Sequence, residues 1–219
     1  MSTLSRLYLN PLKRGAAKLL ANPQAMHAAV RGAFPPDLDQ ENCRVLWRVD
    51  HREHEHILYI VGPEAPDAQH IVEQAGWSTR PAQTAEYDRF LSQIMKGQKW
   101  AFELVGNPVS SVTVPGRSRG KVVPHVTAAQ QVQWLVNKAP SAGFRVLVGE
   151  DDVPMVNVVE RNDLHFRKDD GSKRVSLRTA RFRGRLEVTD AALLRDALQQ
   201  GIGRAKAYGC GLLTLAPVE

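Results

Sequence analysis

The last part of the chain reads FRGRLEVTDAALLRDALQQGIGRAKAYGCGLLTLAP (residues 182–217). Apolar and polar residues alternate over Phe182–Val188, a pattern typical of a strand. Asp190 is a preferred N-cap residue, so the spacing predicts a helix over Ala191–Gln200. A glycine-rich loop then leads to the apolar segment Leu212–Leu215, which predicts a closing strand. This part of the chain is therefore predicted to form a strand, a helix and a strand.

The residues before this segment supply the rest of a βαββαβ order. Alternating apolar residues predict strands over 99–105, 109–114, 144–148, 154–159, 165–167 and 175–178. The last two strands flank DDGS (169–172), whose Asp-Gly pair is typical of a hairpin turn. Thr127 can cap a helix that ends at Lys138, and residues 115–125 are predicted to form a basic loop.

The first half of the chain has a similar order of predicted elements. Strands are predicted over 4–9, 44–49, 56–61 and 79–83, and helices over 12–33, 66–76 and 86–95. Asn22 and Pro23 mark the start of a second helical segment within 12–33. This order is that of a ferredoxin-like fold. We therefore predict the α+β class, with two tandem ferredoxin-like (RRM-like) domains over residues 1–97 and 98–219.

The composition is that of an ordinary globular protein. Of 219 residues, 43% are hydrophobic and 24% are charged. We find no apolar run near the ~20 residues that a membrane-spanning helix needs, and the first fifteen residues lack the apolar segment of a secretory signal. The two cysteines, Cys43 and Cys210, form no CxxC motif or disulfide framework. These features favour a reducing cytoplasm.

Positive charge is concentrated in one segment. Residues 161–185 hold nine Lys or Arg against three Asp, a net +6 that equals the formal charge of the whole protein. A second basic feature follows in GIGRAKAYGCG (201–211), where Arg204 and Lys206 stand among four glycines. Glycine-rich turns let backbone N–H groups approach a phosphate closely, and cations neutralise it. We therefore expect a polyanion as the partner, and nucleic acid first.

Two segments together carry a family resemblance. LANPQAMHAAV (20–30) and QGIGRAKAYGCGLLTLAP (200–217) resemble the CasE family, the CRISPR-associated endoribonucleases of the type I-E Cascade complex. The fragments LYLNP (7–11), TAAQQVQWL (127–135) and FRGRLEVTD (182–190) also fall where that family has similar segments. The resemblance implies two tandem ferredoxin-like domains and metal-independent cleavage of the repeat hairpin in precursor CRISPR RNA. It also implies that the product stem-loop stays bound within Cascade.

The resemblance assigns the catalytic histidine to His27. Members of the family can carry a tyrosine three residues before that histidine, where this chain has Gln24, and some carry a lysine five residues after it, where this chain has Gly32. Arg31 lies one turn from His27 and can bind the same phosphate. In the glycine-rich segment, Arg204 and Ala205 replace a more glycine-rich pair, and Lys206 is retained.

The chemistry of RNA cleavage suits these residues. The 2′-OH beside the scissile phosphate is an internal nucleophile, so the reaction needs no metal or other cofactor. A base must take the 2′ proton, an acid must protonate the leaving 5′ oxygen, and cations must stabilise the phosphorane. His27 suits proton transfer as base or as acid, because its ordinary pKa is about 6.5. The products would be a 5′-OH and a 2′,3′-cyclic phosphate or 3′-phosphate.

The basic segments are expected to hold the RNA, because A-form stems are bound through their phosphates and shape. The predicted RNA-binding residues are Arg117, Arg119, Lys121, Arg161, Arg167, Lys168, Lys173, Arg174, Arg178, Gly201, Gly203, Arg204 and Lys206. Arg181, Arg183 and Arg185 alternate along one predicted strand and so share a face. The other expected partners are the Cascade backbone subunits, with no membrane and no direct contact with DNA.

Two other functions compete with this hypothesis. A non-catalytic scaffold that only holds the stem-loop would use the same basic surfaces. A divalent-metal nuclease could use HREHEH (51–56), which holds three histidines, but its irregular spacing and its position in a predicted hairpin turn favour a solvated turn. We therefore expect no metal site. Cys210 has no nearby histidine in sequence and is expected to be a small packing residue.

Overall fold

The computed structural model describes residues 2–38, 44–52, 55–113, 120–167 and 174–218. The strands are β1 Thr3–Leu9, β2 Leu46–His51, β3 His56–Gly62, β4 Gln83–Glu86, β5 Lys99–Gly106, β6 Val109–Val112, β7 Lys121–Pro124, β8 Phe144–Val146, β9 Val156–Arg167, β10 Arg174–Val188 and β11 Leu213–Ala216. The helices are α1 Arg14–Ala21, α2 Pro23–Arg31, α3 Gln69–Ala75, α4 Tyr87–Ser92, α5 Ala128–Lys138 and α6 Ala191–Gln200.

The first sheet has the strand order β2-β3-β1-β4, and its pairs are antiparallel. With α1 and α2 between β1 and β2, and α3 between β3 and β4, this is the ferredoxin-like arrangement. Apolar side chains of β1 and β3, such as Leu7, Leu9 and Ile60, pack against Met26 and Ile71 of the helices. The predicted strand over 79–83 was wrong in position, since β4 begins only at Gln83.

The second sheet has the strand order β11-β5-β10-β8, again ferredoxin-like, and β9 pairs along β10. The predicted short strands over 154–159 and 165–167 belong to one strand, β9, and those over 175–178 and 182–188 belong to β10. Continuous backbone pairing from Gly184↔Val156 to Arg174↔Arg167 joins them, with one shift of register between Arg181 and Phe182. The result is a long β-ribbon that extends beyond β8.

Part of the predicted basic loop is also strand. Lys121–Pro124 forms β7 and pairs with β6 in a small two-stranded sheet. The alternating residues of Val109–Val112 were recognised in the sequence. The β7 segment was not, because its strand structure depends on pairing with β6.

The two sheets share an apolar core. Leu46 and Val61 of the first sheet belong to one buried cluster with Phe182 and Leu194 of the second unit. Tyr87 at the start of α4 joins the same cluster, so this helix connects the two units through their common core. Among the described residues, no helix is long and apolar enough to cross a membrane.

Candidate active site

Helix α2 places His27 at the edge of the first unit's core. Asn22 caps the helix by accepting a hydrogen bond from the backbone N–H of Gln24 at 3.0 Å, and Pro23 occupies the first turn. Met26 and Val30 are buried, so they fix the rotation of α2 about its axis. His27 follows Met26 in sequence and is half-buried on the flank of that apolar face.

Three elements converge beside His27. Its imidazole lies edge-to-face against Tyr208, with ring centroids 6.4 Å apart and ring planes at 63°. Tyr208 closes a 3₁₀ turn over Lys206–Tyr208 in the glycine-rich segment. The ring of Tyr208 also meets Phe166, near the end of β9, at 4.7 Å between centroids. The structure therefore brings the two end motifs of the sequence together at the tip of the long ribbon.

The surroundings keep the imidazole of His27 neutral. Partial burial lowers the pKa of His27 below its ordinary value, and the positive charge of Arg31 lowers it further. A histidine in this state is unprotonated at neutral pH and can accept a proton. Arg31 lies in the last turn of the same helix, so one helix carries a proton acceptor and a cation four residues apart.

The glycine-rich segment first ends helix α6. Gly201 is the C-cap, with φ +76°, and its N–H donates to the carbonyl of Ala197. The helix therefore ends at Gln200, as predicted. A Cβ on Gly201 would lie 2.9 Å from a methyl of Leu46, and one on Gly203 would lie 3.1 Å from the ring of Trp134. Both Cβ positions therefore face protein, and contact with RNA at these glycines remains a prediction for their backbone.

Several of the predicted RNA-binding cations lie exposed on the ribbon and the β6–β7 hairpin. Arg167 and Arg174 are directly opposite each other where the paired part of the ribbon ends. Arg161 is exposed farther along β9, with Nη1 3.5 Å from the carbonyl of Val126. Lys121 is exposed at the start of β7. Arg117, Arg119, Lys168 and Lys173 lie outside the described residues.

The cations of the glycine-rich loop differ from each other. Arg204 is exposed and lines a groove with Lys138 and Ser110. Lys206 is half-buried, and burial, followed by the charge of Arg44, lowers its pKa. Lys206 begins the 3₁₀ turn that Tyr208 closes. It is therefore the cation of this loop nearest in sequence to Tyr208, whose ring contacts His27.

Two arginines of the basic segment are engaged within the protein. Arg178 makes a two-pronged pair with Asp163 across the ribbon, at 2.6 and 2.9 Å. Arg181 is only 7% exposed and binds the carboxylates of Asp50, Glu103 and Glu160. The sequence places Arg181 on one strand face with Arg183 and Arg185, and in the structure Arg181 is buried because β2 of the first sheet covers it.

Asp50 is the link between the two sheets in this ion-pair network. Burial alone would raise the pKa of Asp50, but hydrogen bonds from Arg48 and Arg181 outweigh it and lower that pKa. Arg48 also donates to the carbonyls of Glu103 and Leu212 in the second unit. The network therefore holds β2 against β5, β10 and β9.

Among the described residues, no three His, Cys, Asp or Glu side chains are grouped in a way that could hold a metal ion. The rings of His51 and His56 do pack at 4.8 Å, as cross-strand partners. His54 lies outside the described residues. Cys210 is fully buried and its burial raises the pKa of the thiol to about 12, as expected for a packing residue rather than a nucleophile.

Tyr208 is the residue of this site that sequence reasoning missed. The one signal in the sequence is its position two residues after Lys206, within the glycine-rich segment that predicts phosphate binding. Nothing local indicates that its ring reaches α2, since that contact depends on how the two units pack.

A family model and one relative match this chain over nearly its whole length, and a second relative matches about three quarters of it. A family model described as "CRISPR associated protein" matches residues 4–217. The "CRISPR-associated endoribonuclease Cse3" of Thermus thermophilus is 32% identical over 222 residues, covering 98% of this chain and 99% of the relative. The "CRISPR system Cascade subunit CasE" of Escherichia coli is 31% identical over 172 residues, covering 74% and 81%.

A solved structure gives the same result for the fold. The structure of the CRISPR endoribonuclease Cse3 bound to a 19-nucleotide RNA has a TM-score of 0.82 and 30% identity, covering 99% of each chain. The similarity includes both ferredoxin-like units rather than one. With the family model matching nearly every residue and a relative matching at full length, the chain belongs to the family of CRISPR-associated proteins that includes Cse3 and CasE.

Proposed function

We propose that this protein is an endoribonuclease that cleaves the repeat hairpin of precursor CRISPR RNA and retains the product stem-loop as a subunit of Cascade. The observation that carries the proposal is the half-buried His27, with its lowered pKa, beside the glycine-rich turn. The relatives' names supply the reaction class and the assembly, and one relative's structure holds RNA.

His27 acts as the general base in this proposal. Its neutral imidazole takes the proton of the 2′-OH, whose oxygen attacks the adjacent phosphorus as the bond to the 5′ oxygen breaks. The departing 5′ oxygen takes up a proton from water and leaves as the 5′-OH. Arg31 stabilises the charge that develops on the phosphorane. The products are a 2′,3′-cyclic phosphate, or a 3′-phosphate after its opening, and a 5′-OH. Because the nucleophile belongs to the RNA, the reaction proceeds without a metal ion.

In this proposal each of the two units supplies a different part of the site. The first, residues 1–97, supplies His27 and Arg31, and the second, residues 98–219, supplies the basic ribbon and the glycine-rich loop. Exposed cations on the ribbon bind phosphates of the stem, as A-form RNA requires. The proposed contacts in the described chain are Lys121, Arg161, Arg167, Arg174, Arg204, Lys206 and the backbone at Gly201 and Gly203. Arg178 is also proposed, and it would have to exchange its pair with Asp163 for a phosphate. We place the protein in the cytoplasm, where its RNA is made.

The proposal is tested by cleavage of the host repeat hairpin in EDTA. Wild type should cut, His27→Ala should bind the hairpin without cutting it, and a 2′-deoxy substitution just upstream of the cut should block wild type. His51→Ala tests the histidine-rich turn itself, because the ring of His51 packs against that of His56. Loss of cutting in EDTA, or in His51→Ala, would instead support a metal nuclease at the histidine-rich turn.

A non-catalytic scaffold is the second candidate, and Gln24 favours it. Family members can carry a tyrosine at this position near the catalytic histidine, and glutamine cannot replace its phenolic hydroxyl in proton transfer. If neither wild type nor His27→Ala cuts the hairpin while both bind it equally, the protein is a scaffold and His27 has no chemical role.

A further inference from the structure

Tyr208 and His27 come from opposite ends of the chain, yet their rings meet at the candidate active site. The edge-to-face arrangement, with planes at 63°, is one that aromatic pairs prefer. Tyr208 is half-buried and borders the cleft between α2 and β9, with Pro23 and Met26 on the opposite wall. The side chain is therefore close to the imidazole and also near the surface that RNA would reach.

The position of the Tyr208 ring is fixed from two sides. On the loop side, its N–H donates to the carbonyl of Ala205 at 2.9 Å, and Ala205 itself has the rare φ of +60°. The next residue, Gly209, has φ +79°, and a Cβ there would lie 2.8 Å from the ring of Trp47. On the ribbon side, Phe166 packs edge-to-face on Tyr208 at 4.7 Å. The turn thus fixes the backbone of Tyr208, and Phe166 packs against its ring.

We propose that Tyr208 is a positioning residue for His27, and that Phe166 connects the RNA-binding ribbon to it. A histidine on the flank of a helix can occupy several side-chain rotamers, and only some place a nitrogen within hydrogen-bond reach of a 2′-OH. A ring packed against the imidazole removes the other rotamers and shields it from water. This inference rests on the proposed endoribonuclease function and deepens it.

The ring of Tyr208 also contributes to the environment in which His27 titrates. The charged or titratable groups on α2 and on the elements packed against it are Arg31 on α2, Arg14 and Lys18 on α1, His70 and Glu73 on α3, Lys206 and Tyr208 in the turn, and Glu160, Arg161, Asp163, His165 and Arg167 on β9. Burial is the larger cause of the low pKa of His27, and Arg31 is the second. Removing the phenol ring admits water, so the pKa of His27 should rise toward 6.5.

The test compares Tyr208→Leu with Tyr208→Phe and uses the repeat hairpin as substrate. Single-turnover cleavage at saturating protein should fall about 10- to 100-fold in Tyr208→Leu, the cost expected of a misplaced catalytic group. Binding of the hairpin should be unchanged, and the midpoint of the acid limb of the pH–rate profile should move to higher pH. Tyr208→Phe keeps the ring and should recover most of the rate. Tyr8→Leu, which changes a half-buried tyrosine away from the site, is the matched control.

Three outcomes would overturn the inference. A normal rate in Tyr208→Leu means that the ring does not position His27, and equal loss in Tyr208→Leu and Tyr208→Phe assigns the role to the hydroxyl instead. Weaker binding in step with slower cleavage makes Tyr208 an RNA contact only. If Tyr208→Leu does not fold, Phe166→Leu replaces it, with a smaller loss of rate and the same upward shift expected. His27→Ala runs alongside, since cleavage by that variant would reject the proposed function itself.

Discussion

His27 is the residue whose environment makes the sharpest prediction. Burial first and Arg31 second lower its pKa, so the midpoint of the acid limb should lie below the ordinary 6.5. A base must be neutral to act, and cleavage should therefore rise with pH through that midpoint. We expect Arg31→Gln to slow cleavage and to raise the midpoint modestly, because one of the two causes is removed. A pH–rate profile and an NMR titration of His27 measure both effects.

The control for this residue is Arg31→Lys, which keeps the positive charge and should leave the pKa of His27 low.

The lowered pKa of His27 also makes the stability of the fold depend on pH, with a defined sign. Between the folded pKa and 6.5 the unfolded chain binds more protons, so the contribution of His27 to stability falls as the pH drops through that window. A wild-type midpoint above 6.5 would contradict the assignment of His27 as the base.

At the scale of the elements, the β9–β10 ribbon carries the prediction for RNA affinity. Arg167 and Arg174 are exposed and directly opposite each other at its outer end. If each neutralises one phosphate, Arg167→Gln with Arg174→Gln should reduce the slope of log K against log[salt] by about 0.7–0.9 per residue. Affinity should fall at low salt while single-turnover cleavage at saturation persists. Filter binding across a series of salt concentrations measures the slope.

Arg145→Gln is the comparison for the ribbon variant. Arg145 is exposed on β8 and already pairs with Glu187 at 2.9 Å, away from the ribbon tip. The Arg145→Gln substitution should leave the slope of log K against log[salt] unaltered. An equal change of slope in both proteins would mean that the affinity reports overall charge and not a contact with the ribbon.

The whole molecule depends on a buried ion-pair network between its two units. Arg181 of β10 joins Asp50 of β2 to Glu103 and Glu160 of the second sheet. Replacing it with methionine leaves these carboxylates without their shared cation, which should cost about 3–5 kcal/mol of unfolding free energy. Urea unfolding of Arg181→Met at neutral pH measures the loss. The loss should shrink as acid protonates the carboxylates.

Arg183→Met provides the internal reference for this network. Arg183 contacts the same Glu103, but its side chain is 60% exposed. Surface pairs of this kind contribute about 0–1 kcal/mol, so stability should hardly change. Similar losses in Arg181→Met and Arg183→Met would show that burial at the junction of the sheets is not the source of the effect.

Much of the fold is local information that the sequence carries by itself. Asn22, Thr127 and Asp190 cap α2, α5 and α6 as predicted, because a cap acts on backbone groups two or three residues away. Alternation likewise locates most strands, since burial of one sheet face imposes a period of two. Both motifs that carried the family resemblance lie within the residues that the family model matches. The βαββαβ order, twice, follows from such signals.

Other features exist only once the two units pack. In the sequence, Arg181 is one of several cations on a basic strand. It becomes the centre of a buried ion-pair network only because β2 packs over β10 in the folded protein. Tyr208 reaches His27 because the glycine-rich turn folds back onto α2. Periodicity and capping act over a few residues, whereas these contacts join distant parts of the chain. Their geometry is therefore decided by the shared core between the sheets, which local sequence patterns do not encode.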